Sequence, residues 1–386
     1  MRRAQSFFRF RDLAPDVIPN NLIRLDAARF IAASVPANRT AAHRLIDSPP
    51  LGAQWALFLD DSKRWLMKID SLSNWLRSLK RRPDHGDASL DLLVSCSQST
   101  LRIALNRSGL LKTNDCAVVA KGEGLYYGLA RAPSGSVWLA SRRALVSDGL
   151  PSERERGQIL SLATETTSQP AWPNRPLRDL HGMAYREGIL WVTCSYDDCI
   201  GLYNLKTSQW NWWQPLPTAQ AAGPDQYHFN TVVFESNLVW VLAHRRGPSW
   251  LLAFPVEAAA KGQTVEPVHK VELGQQAHNI WRQPDGELCT CSSIEGRLMG
   301  ERGWHLETGG FPRGVAQIQE GWVVGISELK ERKDRDFSDA QLKFFNQSWE
   351  QTAEVILPAV GMVLDIMPIP KALKLPTVGT QPLVVN

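Results

Sequence analysis

His181-Gly182-Met183-Ala184, the turn Glu187-Gly188 and then Leu190-Trp191-Val192 form the stretch that decides the fold, because the chain repeats it. The same order of quartet, turn and β-rich triplet recurs at Tyr127-Gly128-Leu129-Ala130 with Val137-Trp138-Leu139. It returns at His278-Asn279-Ile280-Trp281 with Leu288-Cys289-Thr290, and at Arg313-Gly314-Val315-Ala316 with Trp322-Val323-Val324. A fifth copy, His228-Phe229-Asn230-Thr231 leading to Val239-Trp240-Val241, fits with a slip of a residue or two. The leading residues lie 54, 47, 50 and 35 positions apart, which suits propeller blades of four strands. A blade cannot bury both its faces alone, so neighbours must stack around an axis. The 15 Trp supply flat side chains for the space between sheets.

Outward from these copies, Leu92-Leu93-Val94-Ser95-Cys96 and Leu101-Arg102-Ile103-Ala104-Leu105 read as strands that still need an inner partner. Gly361-Met362-Val363-Leu364-Asp365-Ile366-Met367 supplies one from the far end of the chain. Joining them closes a sixth blade and removes exposed sheet edges. The reading is therefore all-β, a six-bladed β-propeller over residues 88–368, with residues 369–386 as a tail. A seventh blade using Trp55-Ala56-Leu57-Phe58-Leu59 is the alternative. Long amphipathic helices are lacking in this region, which argues against a parallel βαβ sheet.

Residues 1–87 differ from the rest. Asp61 can cap a helix from about Ser62 to Lys80, with Trp65, Leu66, Ile69, Leu72, Trp75, Leu76 and Leu79 at three- and four-residue steps. Its other face carries Lys63, Arg64, Lys68, Arg77 and Lys80. The expectation is a short, partly helical, basic extension that packs on its own domain or docks a protein partner. Residues 1–82 hold 15 Lys/Arg against 7 Asp/Glu, while the remainder holds 28 against 32. The mildly acidic body lacks the basic face that nucleic acid requires.

No stretch reaches the eighteen or so apolar residues of a membrane-spanning helix. Met1-Arg2-Arg3-Ala4-Gln5-Ser6-Phe7-Phe8-Arg9 has charge but no apolar core of a secretion signal. The six Cys (96, 116, 194, 199, 289 and 291) show no paired spacing for zinc. Reduced thiols in a cytoplasmic protein are expected. P-loop, dinucleotide fingerprint and nucleophile-elbow motifs are all missing from the sequence.

His181-Gly182-Met183-Ala184, Gln226-Tyr227-His228-Phe229-Asn230, His278-Asn279-Ile280 and Gly310-Phe311-Pro312-Arg313-Gly314 resemble stations of a family of bacterial conserved hypothetical proteins, some attached to tetratricopeptide repeats. The resemblance covers roughly residues 88–368. It implies the propeller and its stations and carries no activity.

Equivalent positions of successive blades form a ring around the channel. Tyr127, His181, His228, His278, Arg313 and Asp365 are expected to face one another at one end of it. Period-two alternation would put Asn230 on the face of His228, and Asn279 could turn into the mouth. His181, His228 and His278 are candidates for catalysis by proton transfer, or for holding a divalent metal ion with Asp365 completing the shell. Arg313 suits a carboxylate or phosphate, and Tyr127 a hydrogen-bond anchor. The leading expectation is a propeller that binds a small polar or anionic ligand, with enzymatic activity left open. The alternative is a protein-protein interaction scaffold with a channel that is only wet. The charged run from Glu328 to Asp336 interrupts the last blade and reads as a solvated loop or a lid at the mouth. The carboxylates of Tyr196-Asp197-Asp198 are expected to be solvated in a hairpin turn.

Overall fold

The computed structural model describes residues 55–60, 63–68, 90–105, 115–162, 173–245 and 247–385. The chain divides into two compact units, Met1–Gly86 and Asp87–Asn386. In the second unit, antiparallel sheets follow one another as blades of a propeller.

Blade 1 runs from its innermost strand outward as Val363–Pro370, Leu90–Cys96, Ser99–Ala104 and Asp115–Lys121. Blade 2 is Tyr126–Arg131, Val137–Ser141 and Gln158–Ser161. Blades 3 and 4 lead with Leu180–Arg186 and Phe229–Glu235, and blades 5 and 6 with Ala277–Arg282 and Phe311–Ile318. Each innermost strand packs on the next, and that of blade 6 packs on that of blade 1, so six blades complete the circle. The seventh-blade alternative is not taken.

Closure joins the two ends of the unit. Asp365 stands opposite Ser95, Ile366 opposite Val94 and Met367 opposite Leu93. Residues expected as a tail add edge strands: Gly379–Pro382 pairs with Asp115–Lys121 in blade 1, and Val384–Val385 with Gln351–Leu357 in blade 6. Apolar faces of adjacent blades make the core. Between blades 3 and 4, Trp191 meets Trp213 edge-on at 6.0 Å and Phe234 at 5.2 Å, the geometry that ring quadrupoles favour.

The N-terminal helix needs correcting. Lys63–Lys68 is a strand, paired antiparallel with Trp55–Asp60. A short apolar run satisfies both periods, and the adjacent β-forming segment Trp55–Asp60 gives it a ladder that a lone helical turn lacks. Residues 69–80 of the expected helix lie outside the described residues.

Candidate functional site

Every innermost strand carries a register shift close to its station residue. The shifts fall within residues 126–129, 180–183, 229–231, 278–281, 313–315 and 363–365 of the six innermost strands. A bulge re-aims the side chains beside it. Glycine lets the strands come close at these points: a Cβ on Gly182 would sit 2.7 Å from the Asn230 carbonyl oxygen. Gly314 adopts φ 72°, a left-handed conformation that suits glycine.

Tyr127, His181, His278, Arg313 and Asp365 all lie in innermost strands. His228 immediately precedes one, at φ 52°. The structure divides the expected constellation into two sets. Asn230, Asn279 and Asp365 stitch neighbouring blades together. Asn230 Nδ2 donates to the Ala277 carbonyl at 2.8 Å, and Asn279 Oδ1 accepts from the Gly314 amide at 2.7 Å. The Asp365 carboxylate accepts from the Leu129 and Ile366 amides, both at 2.9 Å. The bulge between Phe229 and Thr231 breaks the alternation expected to align Asn230 with His228. All three stitching residues line a central cavity of about 470 Å³, together with Tyr127, His181 and His278.

The second set is a cluster of rings. Tyr127 and His181 have centroids 4.3 Å apart, His181 and His228 4.9 Å, and His181 and His278 6.5 Å. His244, which the repeat pattern did not single out, stands 4.9 Å from His228 and 5.2 Å from His278. It belongs to a second row, the residue just after each blade's second strand: Arg142, Ser195, His244 and Ser293 in blades 2 to 5.

That row sets the tautomers. Ser195 Oγ donates its one proton to the Phe229 carbonyl at 2.6 Å. It can therefore only accept from His181 Nδ1, 3.0 Å away, and the Asp179 carbonyl is a second acceptor at 3.0 Å. His181 thus carries its proton on Nδ1 and leaves Nε2 bare. Ser293 repeats the device, donating to the Pro312 carbonyl at 2.8 Å and accepting from His278 Nδ1 at 2.8 Å. His278 Nε2 is then a buried acceptor with no hydrogen-bond partner. His228 Nδ1 meets Asp225 Oδ1 at 2.7 Å.

Asp179, His181 and His228 have ligand-type atoms within 4.8 Å of one another. Asp365, the carboxylate expected beside the imidazoles, is not in this group, and neither is His278. The Asp179 carboxylate approaches Nδ1 of His181 at 3.7 Å and Nδ1 of His228 at 3.8 Å. Both Nδ1 atoms are already hydrogen-bonded, and Asp179 Oδ1 holds Arg142 Nη1 at 2.7 Å. The donor set fits a hydrogen-bonded network and does not fit a metal through these atoms.

Charge is unevenly satisfied. Arg142 is clamped between Asp179 and the buried Glu155. Burial works against its charge, but Asp179, Tyr127 and Glu155 outweigh burial and raise its pKa. Arg313 lies over the Phe311 ring at 4.7 Å and forms no ion pair among the described residues. Its Nε and Nη1 are buried without a hydrogen-bond partner. Burial lowers its pKa, Arg335 adds to that, and the Tyr127 hydroxyl opposes it. Burial also lowers His181 to about 3, aided by His228, Arg142 and Arg313 against the opposing Asp179. His278 is pushed well below its ordinary value by burial, then by Arg313 and the neighbouring imidazoles.

The turn after blade 3's second strand organises this end of the channel. Asp198 accepts from the amides of Gln226, Tyr227 and His228 at 2.6, 2.8 and 3.0 Å, and Asp197 pairs with Arg178. The expectation of solvated carboxylates here is corrected: three consecutive amides need an acceptor, and Asp198 is buried to supply it.

Burial raises the Asp365 carboxyl to about 6, against its two backbone donors. A raised carboxyl favours the folded state below its unfolded value of 3.8 and loses that advantage as pH rises through about 6. Asp365→Asn should therefore gain about 1–2 kcal/mol relative to the parent between pH 4.5 and 7.5. Urea unfolding of both proteins at the two pH values checks it, and a constant gap between them would contradict a protonated interior carboxyl.

Among the described residues no helix is long and apolar enough to cross a membrane. All six cysteines are free and buried. No protein-family model and no curated protein sequence matches the chain. Solved structures do resemble it. A chain of the nidogen/laminin complex is 11% identical with a TM-score of 0.51, covering 72% of this chain and 98% of that one. A protein of unknown function from Bacteroides caccae is 12% identical with a TM-score of 0.49, covering 73% and 99%. Virginiamycin B lyase from Staphylococcus aureus is 13% identical with a TM-score of 0.40, covering 67% and 88%. At 11% identity the likeness to the nidogen/laminin chain is one of fold alone.

Proposed function

We propose that this propeller binds a small anionic ligand at the channel end where Tyr127, His181, His278 and Arg313 meet. One observation carries the reading: Arg313 has buried Nε and Nη1 atoms with no partner and no counter-ion among the described residues. An uncompensated interior charge costs several kcal/mol, and an anion would remove that cost. Arg142 nearby shows the contrast, since its two carboxylates leave it nothing to offer.

The imidazoles favour holding a ligand over transferring its protons. A general base works best with a pKa near the working pH, and His181 is held at about 3. At neutral pH the bare Nε2 atoms of His181 and His278 are hydrogen-bond acceptors on neutral rings. The alternative of a protein-interaction scaffold leaves the bare Arg313 without a role.

Calorimetric titration with a panel of small carboxylates, phosphate and sulfate tests the proposal, with Arg313→Met beside the parent. The parent should bind at least one anion, and Arg313→Met should lose that binding by about 100-fold or more. Ligand-free Arg313→Met should be as stable as the parent, or up to about 4 kcal/mol more stable, because an unpaired buried charge is gone. A parent blind to every anion, or a variant that unfolds, would retire the anion site.

A further inference from the structure

The turn between the second and third strands of blade 3 is bracketed by two cysteines. Cys194 ends Ile189–Cys194, Cys199 begins Cys199–Asn204, and the two stand directly opposite each other in the antiparallel ladder. Directly opposed residues hold their Cβ atoms about 4.5–5.5 Å apart, and a disulfide needs about 3.5–4.5 Å. A small closure of the hairpin end therefore suffices to join them. Both thiols belong to one apolar cluster with Trp138 and Ile159 of blade 2. No other two cysteines are ladder partners: Cys96 faces Val363, Cys116 faces Gln381, and Cys289 and Cys291 share one strand.

The two thiols are unequal. Arg175 Nη2 donates to Cys199 Sγ, and the guanidinium lies over the Trp212 ring, 3.9 Å from its centroid. Arg175 forms no ion pair among the described residues, so its charge is left to the sulfur. A guanidinium against sulfur stabilises the thiolate, the form that oxidants attack. Cys199 is also the more open of the two, 4% exposed against 0% for Cys194. The Cys194 pKa is raised, first by its hydrogen bond to Cys199 and then by burial. One thiol is thus supplied with a cation, and the other waits across the ladder with its proton.

We propose that Cys194 and Cys199 form a reversible oxidation site, in which a hydroperoxide oxidises Cys199 and Cys194 resolves the product. Cys199 Sγ attacks the peroxide oxygen, the O–O bond breaks, and the sulfur becomes a sulfenic acid while the departing oxygen leaves protonated. Cys194 Sγ then attacks Cys199 Sγ; the S–S bond forms, the S–O bond breaks, and hydroxide leaves as water with the Cys194 proton. With hydrogen peroxide, two thiols and one peroxide give one disulfide and two waters. A dithiol reverses the change by exchange. The bond closes a loop over residues 194–199, whose Ser195 and Asp198 hold His181 and the segment before Phe229. The site stands independently of the anion reading.

Trypsin cuts after Arg186 and Lys206, which leaves both cysteines in one peptide and makes the bond visible as a loss of two hydrogens. The full chain is exposed to hydrogen peroxide at neutral pH, quenched with N-ethylmaleimide in denaturant and digested. The peptide of residues 187–206 should lose both alkylations before any other cysteine is oxidised, and regain them after dithiothreitol. Cys194→Ser should stop at a Cys199 sulfenic acid that dimedone captures. Arg175→Gln should slow disulfide formation about tenfold or more, with thermal melts of the reduced variants confirming that each is folded. A parent whose Cys194 and Cys199 remain alkylated after Cys289 and Cys291 have reacted would overturn the proposal. So would a folded Arg175→Gln variant oxidised at the parent rate.

Discussion

Truncation after Val360 is expected to abolish cooperative unfolding altogether. The deletion removes Val363–Pro370, the innermost strand of blade 1, and with it the wall between blades 6 and 2. Leu92, Leu93 and Val94, all fully buried, would lose the strand they pair with. Val363, Ile366 and Ile369 leave two separate apolar clusters, one against blade 6 and one against blade 2. The Leu129 amide loses its Asp365 acceptor, and the edge strands at residues 379–382 and 384–385 go too. A ring of blades has no stable open form when each blade buries only half of itself alone. Circular dichroism during heating should show a broad, shallow loss of signal in place of a transition. A truncated chain that melts as sharply and as high as the parent would refute closure as the organising contact.

Glu155→Ala is expected to destabilise the protein by about 3–5 kcal/mol, the cost of leaving a buried charge without its partner. Glu155 is 1% exposed. It takes two hydrogen bonds from Arg142 and one from the Asp179 amide at 2.8 Å. Without it Arg142 retains only Asp179, and Asp179 is the residue that sits between His181 and His228. The damage should therefore spread to the imidazole cluster, and anion binding should weaken along with stability. Urea unfolding of Glu155→Ala and of the paired Arg142→Met/Glu155→Ala variant separates the two contributions. The pair should recover a large part of the loss, because the unpartnered guanidinium is gone. A paired variant as unstable as the single one would show that packing, not charge, is at stake.

The sequence made the ring legible for a physical reason. Blades descend from one pattern, so the innermost strand begins alike each time, and Tyr127, His181, His228, His278, Arg313 and Asp365 could be aligned without a partner sequence. Closure was legible because Leu90–Cys96 contains the apolar run Leu92-Leu93-Val94, which puts apolar side chains on both faces, and needs a neighbour that only the far end supplies. The residues that set the chemistry of the cluster were harder to see. Asp179 and Glu155 lie outside the repeated quartets, Asp179 as a lone acid before a strand and Glu155 within the charged run Glu153-Arg154-Glu155-Arg156, where nothing in the sequence marks it for burial. Arg142, Ser195, His244 and Ser293 carry a weaker signal: each follows a second strand directly, but their residue types differ from blade to blade, so no repeated quartet marks them. Bulges defeated the alternation argument at Asn230, because periodicity cannot show where an extra residue sits. The N-terminal segment misled for a related reason: at six residues, Lys63–Lys68 is too short for helical and extended periods to be told apart.

The two-ended construction of blade 1 also sets a clock on synthesis. Its outer strands, Leu90 to Lys121, are translated first, yet their inner partner begins only at Val363. At about 5–20 residues per second, the ribosome takes roughly 12–50 s to bridge that gap. Throughout it, Leu90–Cys96 has an open edge and apolar side chains on both faces, the kind of surface that recruits other nascent chains. Five blades' worth of sequence must therefore emerge beside an unfinished sixth. Production of this protein is consequently governed by how well that waiting strand is sheltered until residue 370 is free.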